Sequence, residues 1–311
     1  MRIVTLTLNP AFDVHCTCPV FLAGKETRAD ITSRDPGGKG VNISKALLAC
    51  GVPSEALAVV GEENGAEFLS MLKAGGLDCV AVTVPGRIRE NYTIHPSEGK
   101  ETRLSFSGFS VPEDRDVLAE VAELIGDVDP GDIVTLTGSL PVGIPIGQVK
   151  ELLKKYRAAG VRVVIDSGAF SVEDLIDCSP WLIKPNEEEI RKYIGREEIG
   201  TEDILGWARE MNRKGIGNVI VSLGKHGAIL VCDGGEFLSC PPDIPVVSTI
   251  GAGDSSIGGF IWGAVLGADP GDCLKRAMSC GNAACMTPGT EPPRAKDIID
   301  SYDAVTLERL K

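Results

Sequence analysis

Apolar, β-rich runs alternate with helical patterns along most of this 311-residue chain, and that alternation limits the fold more than any other feature. Strand-like runs fall at residues 2–8, 55–60, 77–83, 132–137, 161–165, 181–184, 218–222 and 227–231. Helical patterns fall at 41–50, 65–74, 114–125, 146–159, 187–193, 202–214, 253–266 and 272–286. Strands that are apolar throughout need cover on both faces. Their alternation with helices predicts an α/β fold with a mainly parallel sheet between two helical layers. Ligands of such sheets sit beyond the carboxyl ends of the strands.

Two stretches break this rhythm. Residues 11–36 and 86–108 hold polar, alternating segments such as Arg87-Ile88-Arg89-Glu90-Asn91-Tyr92-Thr93-Ile94 and Thr102-Arg103-Leu104-Ser105-Phe106. Their period of two reads as hairpin strands of a small sheet outside the main one. The expected organisation is a core of 1–10, 37–85 and 109–311 and a β lid of 11–36 and 86–108, the lid not being an independent domain.

Four glycine-punctuated loops carry the chemistry. Val247-Ser248-Thr249-Ile250-Gly251-Ala252-Gly253-Asp254-Ser255 leads into a small, apolar run that suits a buried helix. Its tight turn would bring several N–H groups to the positive end of the helix dipole, which makes an anion receptor with a carboxylate, Asp254, inside it. The plain alternative is an Asp that only complements the dipole. Asp35-Pro36-Gly37-Gly38-Lys39-Gly40-Val41-Asn42 precedes another helical pattern and offers Lys39 and Asn42 as donors. It is neither a Walker A loop, since Gly40 follows Lys39, nor a dinucleotide fingerprint, since no third glycine follows. Lys184-Pro185-Asn186-Glu187-Glu188-Glu189 holds an N-cap, Asn186, with Glu189 completing a capping box. The same carboxylate at a sheet mouth could hold a magnesium-bound water near a triphosphate. Val221-Ser222-Leu223-Gly224-Lys225-His226-Gly227 joins two strand patterns as a hairpin, or offers amides and Ser222 to a nucleotide.

Charge narrows the partners. A net charge of −13 argues against nonspecific nucleic-acid or anionic-membrane binding, so a site for an anionic substrate must be locally basic. The opening Met1–Leu8 is too short and too β-branched for a signal peptide, and no apolar stretch is long enough to span a bilayer. A cytoplasmic protein is the expectation. The ten cysteines show no pair of Cys-x2-Cys knuckles and the three histidines are far apart, which reads as buried reduced thiols and not a metal site.

Together these residues resemble the PfkB (ribokinase-like) carbohydrate kinases over nearly the whole chain. Gly251-Ala252-Gly253-Asp254 is similar to that family's C-terminal signature, and Gly37-Gly38-Lys39-Gly40-x-Asn42 to its N-terminal one. Thr7-Leu8-Asn9-Pro10-Ala11-Phe12-Asp13, Thr137-Gly138-Ser139-Leu140-Pro141 and Ser248-Thr249-Ile250 resemble most the 1-phosphofructokinase and tagatose-6-phosphate kinase branch. The resemblance implies a three-layer α/β/α sandwich with a β lid and an ATP- and magnesium-dependent transfer to a ketohexose phosphate. Fructose 1-phosphate is the first choice, with tagatose 6-phosphate and fructose 6-phosphate as rivals.

Residue roles follow from the resemblance. Asp254 would be the base, with Gly251, Ala252 and Gly253 as the anion hole. Asp13, Gly38 and Asn42 would hold sugar hydroxyls, Lys39, Arg89 and Ser139 would meet the substrate's phosphate, and Arg103 would add a further cation near the sugar. Lys184, Asn186, Glu189, Ser222, Gly224 and Gly227 would face ATP, with Asn186 and Glu189 nearest Mg2+ through water. The family's usual homodimer clasps through its lids, so Lys25 or Arg28 could reach a neighbouring subunit. Two lid features depart from the branch: Arg103 stands where an acid is common, and the usual Lys after Asn-x is missing at Asn91-Tyr92-Thr93. Both bear on sugar choice. A non-catalytic sugar-phosphate sensor would be expected to lose Asp254 or its glycines, and a dinucleotide oxidoreductase would need the fingerprint that fails here.

Overall fold

Ile3-Val4-Thr5-Leu6-Thr7 is buried at all five positions and forms β1, an inner strand of a ten-stranded sheet. The structure, a computed structural model, describes residues 1–310. The further strands are β2 (Ala11–Val20), β3 (Asp30–Gly37), β4 (Glu55–Gly61), β5 (Cys79–Val84), β6 (Arg89–Glu98) and β7 (Thr102–Leu104). They continue with β8 (Ile133–Thr137), β9 (Arg162–Asp166), β10 (Leu182–Ile183), β11 (Asn218–Ser222), β12 (Ala228–Cys232), β13 (Gly235–Cys240) and β14 (Thr306–Leu310). Helices are α1 (Lys39–Ala49), α2 (Gly65–Ala74), α3 (Val117–Ile125), α4 (Ile146–Ala158) and α5 (Val172–Cys178). The second half adds α6 (Glu187–Ile194), α7 (Thr201–Arg213), α8 (Ala252–Val265), α9 (Pro270–Ala284) and α10 (Ala295–Ala304).

The main sheet runs β14-β13-β12-β11-β10-β9-β8-β1-β4-β5. From β5 to β11 every pairing is parallel, as the alternation predicted, and β12, β13 and β14 extend it antiparallel. Two cores cover its faces. One gathers Leu6, Phe68, Val134, Leu136 and Ile165; the other gathers Ile43, Ile133, Val164, Ile220 and Phe260. Each such fully buried side chain contributes about 1.5–3 kcal/mol over leaving it exposed.

A separate sheet of four strands, β3-β2-β6-β7, is built from 11–37 and 89–104. Here β2 pairs antiparallel with β3 and parallel with β6, and β6 pairs antiparallel with β7. Both of its inner strands begin at the mouth of the large sheet: Ala11 lies opposite Arg89 and Gly37.

The sequence pattern missed β13, β14, α5 and α10. Residues 235–240 alternate without a long apolar run, and β14 has four exposed positions, so neither shows the two-sided burial that marks the inner strands. Helix α5 has only seven residues, too few for a period of 3.6 to register.

Helix α8 is hydrophobic nearly all round and lies against both α1 and α9. Its glycines allow that. A Cβ on Gly259 would lie 2.4 Å from the Arg276 carbonyl of α9, and one on Gly258 would lie 3.0 Å from Ala46 Cβ of α1. The close fit holds the middle of α8 against α1 and α9, and α1 and α8 both start at the same cavity.

Candidate active site

A cavity of about 650 Å3 opens where β1, β8, β9, β10 and β11 end. Thr7, Thr137, Asp166 and Ser222 close those strands, and Lys184 follows β10 at once; all five side chains line the cavity. The small sheet adds Asp13, Arg89, Asn91 and Arg103 from its inner side. That is the position expected of a ligand on a parallel sheet.

Two helices begin here with no side chain capping them. Gly38 precedes α1 at φ +126, and Gly251 precedes α8 at φ +78, a left-handed conformation that glycine adopts without steric cost. At Gly38 a Cβ would also lie 2.7 Å from Thr7 Cγ2. With the N-cap side chains absent, the first-turn amides and dipole ends are free to meet an anion.

Carboxylates and cations alternate across the cavity. Asp254, in the first turn of α8, is buried and accepts a 2.8 Å hydrogen bond from Asn42 Nδ2 of α1. Burial pushes its carboxyl above the ordinary value, and Asp166 adds to that, against the pull of Lys39 and Lys184. Asp166 goes the other way. Its burial is offset by Lys184 at 3.8 Å and Lys39 at 2.9 Å, which hold the carboxyl below the usual range. Lys39 in turn is pushed up to about 12 despite its burial, by the charges of Asp166 and Asp254. Two carboxylates with pKa values moved apart, one fixed as an anion and one left proton-prone, is an arrangement that divides labour between acid–base chemistry and charge support.

At the other end Asp13 accepts from Arg103 Nη2 at 3.1 Å and from Asn91 Nδ2 at 3.3 Å. Arg89 Nη2 donates to the Asn9 carbonyl and to Ser139 Oγ, both at 3.2 Å, and Asn9 Nδ2 also reaches Ser139 Oγ at 3.1 Å. Of the cations lining the cavity, Lys39, Lys184 and Arg103 each face a carboxylate, while Arg89 has none among the described residues. Burial works against its charge. An anionic group placed there would restore the balance.

The structure brings together Asp13, Gly38, Lys39, Asn42, Arg89, Arg103, Ser139, Lys184, Asn186, Ser222, Gly251, Gly253 and Asp254. Four expected residues do not line the cavity. Ala252 opens α8 beside it, and Glu189 faces a small side cavity with Asp166, Lys184 and Tyr193. Gly224 lies in the 3-10 turn Gly224–His226, and Gly227 is needed where it is, because a Cβ would come within 2.0 Å of the Ser239 carbonyl. Lys25 and Arg28 are exposed on the connection between β2 and β3. Lys39, expected on the sugar's phosphate, lines the cavity and donates to Asp166 Oδ2 at 2.9 Å.

Sequence reasoning passed over Asp166, Asn9 and Asn91. Asp166 carried a legible signal: a lone carboxylate directly after the apolar run Val163-Val164-Ile165. Asn9 and Asn91 stood in named motifs without a role: the parallel pairing of β1 with β8 sets Asn9 beside Ser139, and that of β2 with β6 sets Asn91 beside Asp13.

Comparison with known proteins agrees with this geometry. The model of the pfkB family carbohydrate kinases matches residues 12–297. The 1-phosphofructokinase of Rhodobacter capsulatus is 36% identical over 298 residues, 94% of each chain. That of Escherichia coli K12 is 32% identical over 266 residues, 85% of each chain. The crystal structure of Escherichia coli phosphofructokinase-2 in complex with substrates and products superposes with a TM-score of 0.89 at 27% identity, covering 97% of this chain and 99% of that one. With a family match spanning most of its length and an acid-bearing cleft at the sheet's carboxyl edge, this chain belongs to the pfkB family of carbohydrate kinases.

Proposed function

We propose that the protein transfers the terminal phosphoryl group of ATP to the free primary hydroxyl of fructose 1-phosphate, giving fructose 1,6-bisphosphate and ADP. The observation that carries this reading is the buried Asp254 at the uncapped start of α8, facing one cavity with the carboxylate-free Arg89. A base and an anion hole stand at one end and a receptor for a second anion at the other. The 1-phosphofructokinases at 32% and 36% identity support this substrate over its rivals.

The residues divide the work as follows. Arg89, Ser139 and Asn9 hold the phosphate already on the sugar. Asp13, oriented by Asn91 and Arg103, accepts from sugar hydroxyls, and Gly38 leaves the backbone open to the sugar. Asp254 Oδ2 is fixed by Asn42, so the carboxylate orients the attacking hydroxyl and takes its proton late, as carboxylates do in other kinases. The Gly251–Gly253 amides and Lys39, steadied by Asp166, face the charge that gathers on the transferring group. Electrostatic support of that kind accounts for about 10²–10³-fold in rate per well-placed donor.

Lys184, Asn186 and Ser222 form the nucleotide side. Among the described residues no three of His, Cys, Asp and Glu gather to cage a metal. The donor set fits Mg2+ only in the manner in which Mg2+ is held by one or two carboxylates, waters and substrate phosphates. Glu189 and Asp166 are the carboxylates within reach of that role. When bound, the ion would neutralise charge on the ATP phosphates.

The small sheet is the lid of this reading, excluding water so that ATP is not wasted on hydrolysis. The small sheet and the loops beside it expose Val20, Leu22, Ile31, Leu104 and Phe106, apolar surface suited to a second copy in a homodimer. No helix of the described residues is long and apolar enough to cross a membrane.

A second reading, phosphorylation of fructose 6-phosphate, is favoured by the Arg103–Asp13 contact and by the likeness to phosphofructokinase-2. One assay separates them. ADP release is measured with ATP, magnesium and each of fructose 1-phosphate, fructose 6-phosphate, tagatose 6-phosphate, free hexoses and nucleosides. A kcat/KM for fructose 1-phosphate at least tenfold above all others is expected. Equal or better turnover of an unphosphorylated sugar overturns the reading, and binding without ADP release marks a sensor.

A further inference from the structure

All ten cysteines are free, and two of them meet. Cys50, the C-cap of α1, and Cys280, within α9, place their sulfurs 3.5 Å apart across 230 positions of sequence. No other two cysteines are hydrogen bonded to each other among the described residues. Their surroundings differ. Cys280 is fully buried in a small cluster with Ala283, Ile298, Ala49, Trp262 and Met286, whereas Cys50 is only partly covered at its edge. Cys50 is the partly exposed member of the pair and Cys280 the buried one.

We propose that Cys50 and Cys280 are a redox modification site that forms a reversible disulfide when the protein meets a hydroperoxide. The step balances. The Cys50 thiolate attacks the nearer peroxide oxygen, the O–O bond breaks, and Cys50 becomes a sulfenic acid as water or an alcohol leaves. Cys280 Sγ then attacks Cys50 Sγ, the S–O bond breaks, and the hydroxide departs as water with the Cys280 proton. Two thiols are oxidised by two electrons and one hydroperoxide is reduced; a small thiol reverses the change. The sulfurs need close only from 3.5 Å to about 2.0 Å. The hydrogen bond from Cys280 draws the Cys50 thiol below its ordinary value against its burial, with Arg276 assisting, so the more exposed sulfur is also the more reactive one.

The consequence lies in what the two helices carry. Helix α1 presents Lys39 and Asn42 at its other end, roughly 16 Å away, and α9 packs against α8, which bears Asp254. A bond between them ties the first and last segments of the core together. It restrains the unfolded chain over a long loop without reaching the cavity.

The test uses the full-length protein. Hydrogen peroxide is added, excess is removed, and free thiols are counted after denaturation, with peptide mass spectrometry to locate any cross-link. Ten thiols should fall to eight, with one peptide pair joining Cys50 to Cys280, and dithiothreitol should restore ten. Cys50→Ser should hold at nine under the same treatment. Cys280→Ser should leave a sulfenic acid on Cys50 that dimedone traps. The oxidised protein should melt several degrees higher and keep kcat within about twofold. Dimedone adduct or sulfinate on Cys50 without the cross-link in the unaltered protein, a cross-link between other cysteines, or ten surviving thiols would each overturn the proposal. A lower melting point in the cross-linked form would overturn the stabilising role.

Discussion

Asn42 Nδ2 donates a 2.8 Å hydrogen bond to Asp254 Oδ2, joining the first turns of two helices whose residues lie 212 positions apart. Replacing the carboxylate tests both halves of that link. Asp254→Asn should lower kcat by at least about 10³-fold, since base and hydroxyl orientation go together, while the KM values for both substrates change little.

The same variant should be more stable. Burial raises the Asp254 pKa in the fold, so its contribution to stability is present at low pH and lost as pH rises through the folded value. At neutral pH the ionised carboxylate is therefore a cost that the amide removes. Melting curves should show Asp254→Asn above the parent at pH 7–8, with the gap closing as pH falls toward 4. A parent that melts higher than the variant at pH 8 would refute this.

Asp166 should behave with the opposite sign. Its pKa is lowered by Lys184 and Lys39 against burial, so its contribution is present above the ordinary carboxylate range and lost as pH falls through the lower folded value. Lys39, raised to about 12, contributes below its ordinary value of about 10.5 and loses that contribution as pH climbs through 12. Asp166→Asn leaves the buried Lys184 and the partly exposed Lys39 without their nearest anion, which should cost about 1–3 kcal/mol in denaturant titrations at pH 7 once solvent screening at Lys39 is allowed for. A loss under about 1 kcal/mol would mean that the cluster is solvated.

The parts of this architecture legible in the sequence are those with local cause. The parallel strands announced themselves because burial on both faces makes a continuous apolar run such as Val163-Val164-Ile165. The helix starts at Lys39 and Ala252 were legible because Gly38 and Gly251 have no side chain to block the turn. What stayed hidden depends on long-range pairing. Asn91 is legible only as part of a motif until β6 lies alongside β2 and sets it beside Asp13. Nothing local shows that Lys39 meets Asp166, 127 positions away. Strand β14 pairs with β13 from the far end of the chain with little burial to mark it.

Arg89 is the cavity cation without a carboxylate, and its removal should act on one substrate alone. Arg89→Ala should raise KM for fructose 1-phosphate by about 10–100-fold, a charged-contact loss of about 1.4–2.7 kcal/mol, with KM for ATP unaltered. Unchanged KM for the sugar phosphate would remove Arg89 from the receptor.

Arg103 holds Asp13 from the lid side, where the chain departs from the branch it otherwise resembles. Arg103→Ala should reduce kcat/KM for fructose 6-phosphate more than for fructose 1-phosphate, by at least about fivefold in their ratio. Parallel losses with both sugars would make Arg103 a general support for Asp13 and not a determinant of choice.

One variant separates the helix-capping duty of Glu189 from the metal-supporting one. Its carboxylate accepts from the Asn186 amide at 2.9 Å while Asn186 Oδ1 accepts from the Glu189 amide at 2.8 Å, a complete capping box at the start of α6. Glutamine closes the same box without charge. Glu189→Gln should therefore leave the melting temperature within about a degree of the parent. If the carboxylate also steadies a magnesium-bound water, the magnesium concentration for half-maximal activity should rise about tenfold at saturating sugar phosphate. A magnesium curve that overlays the parent's would leave Glu189 with the helix cap alone and pass the metal to Asp166 and the ATP phosphates.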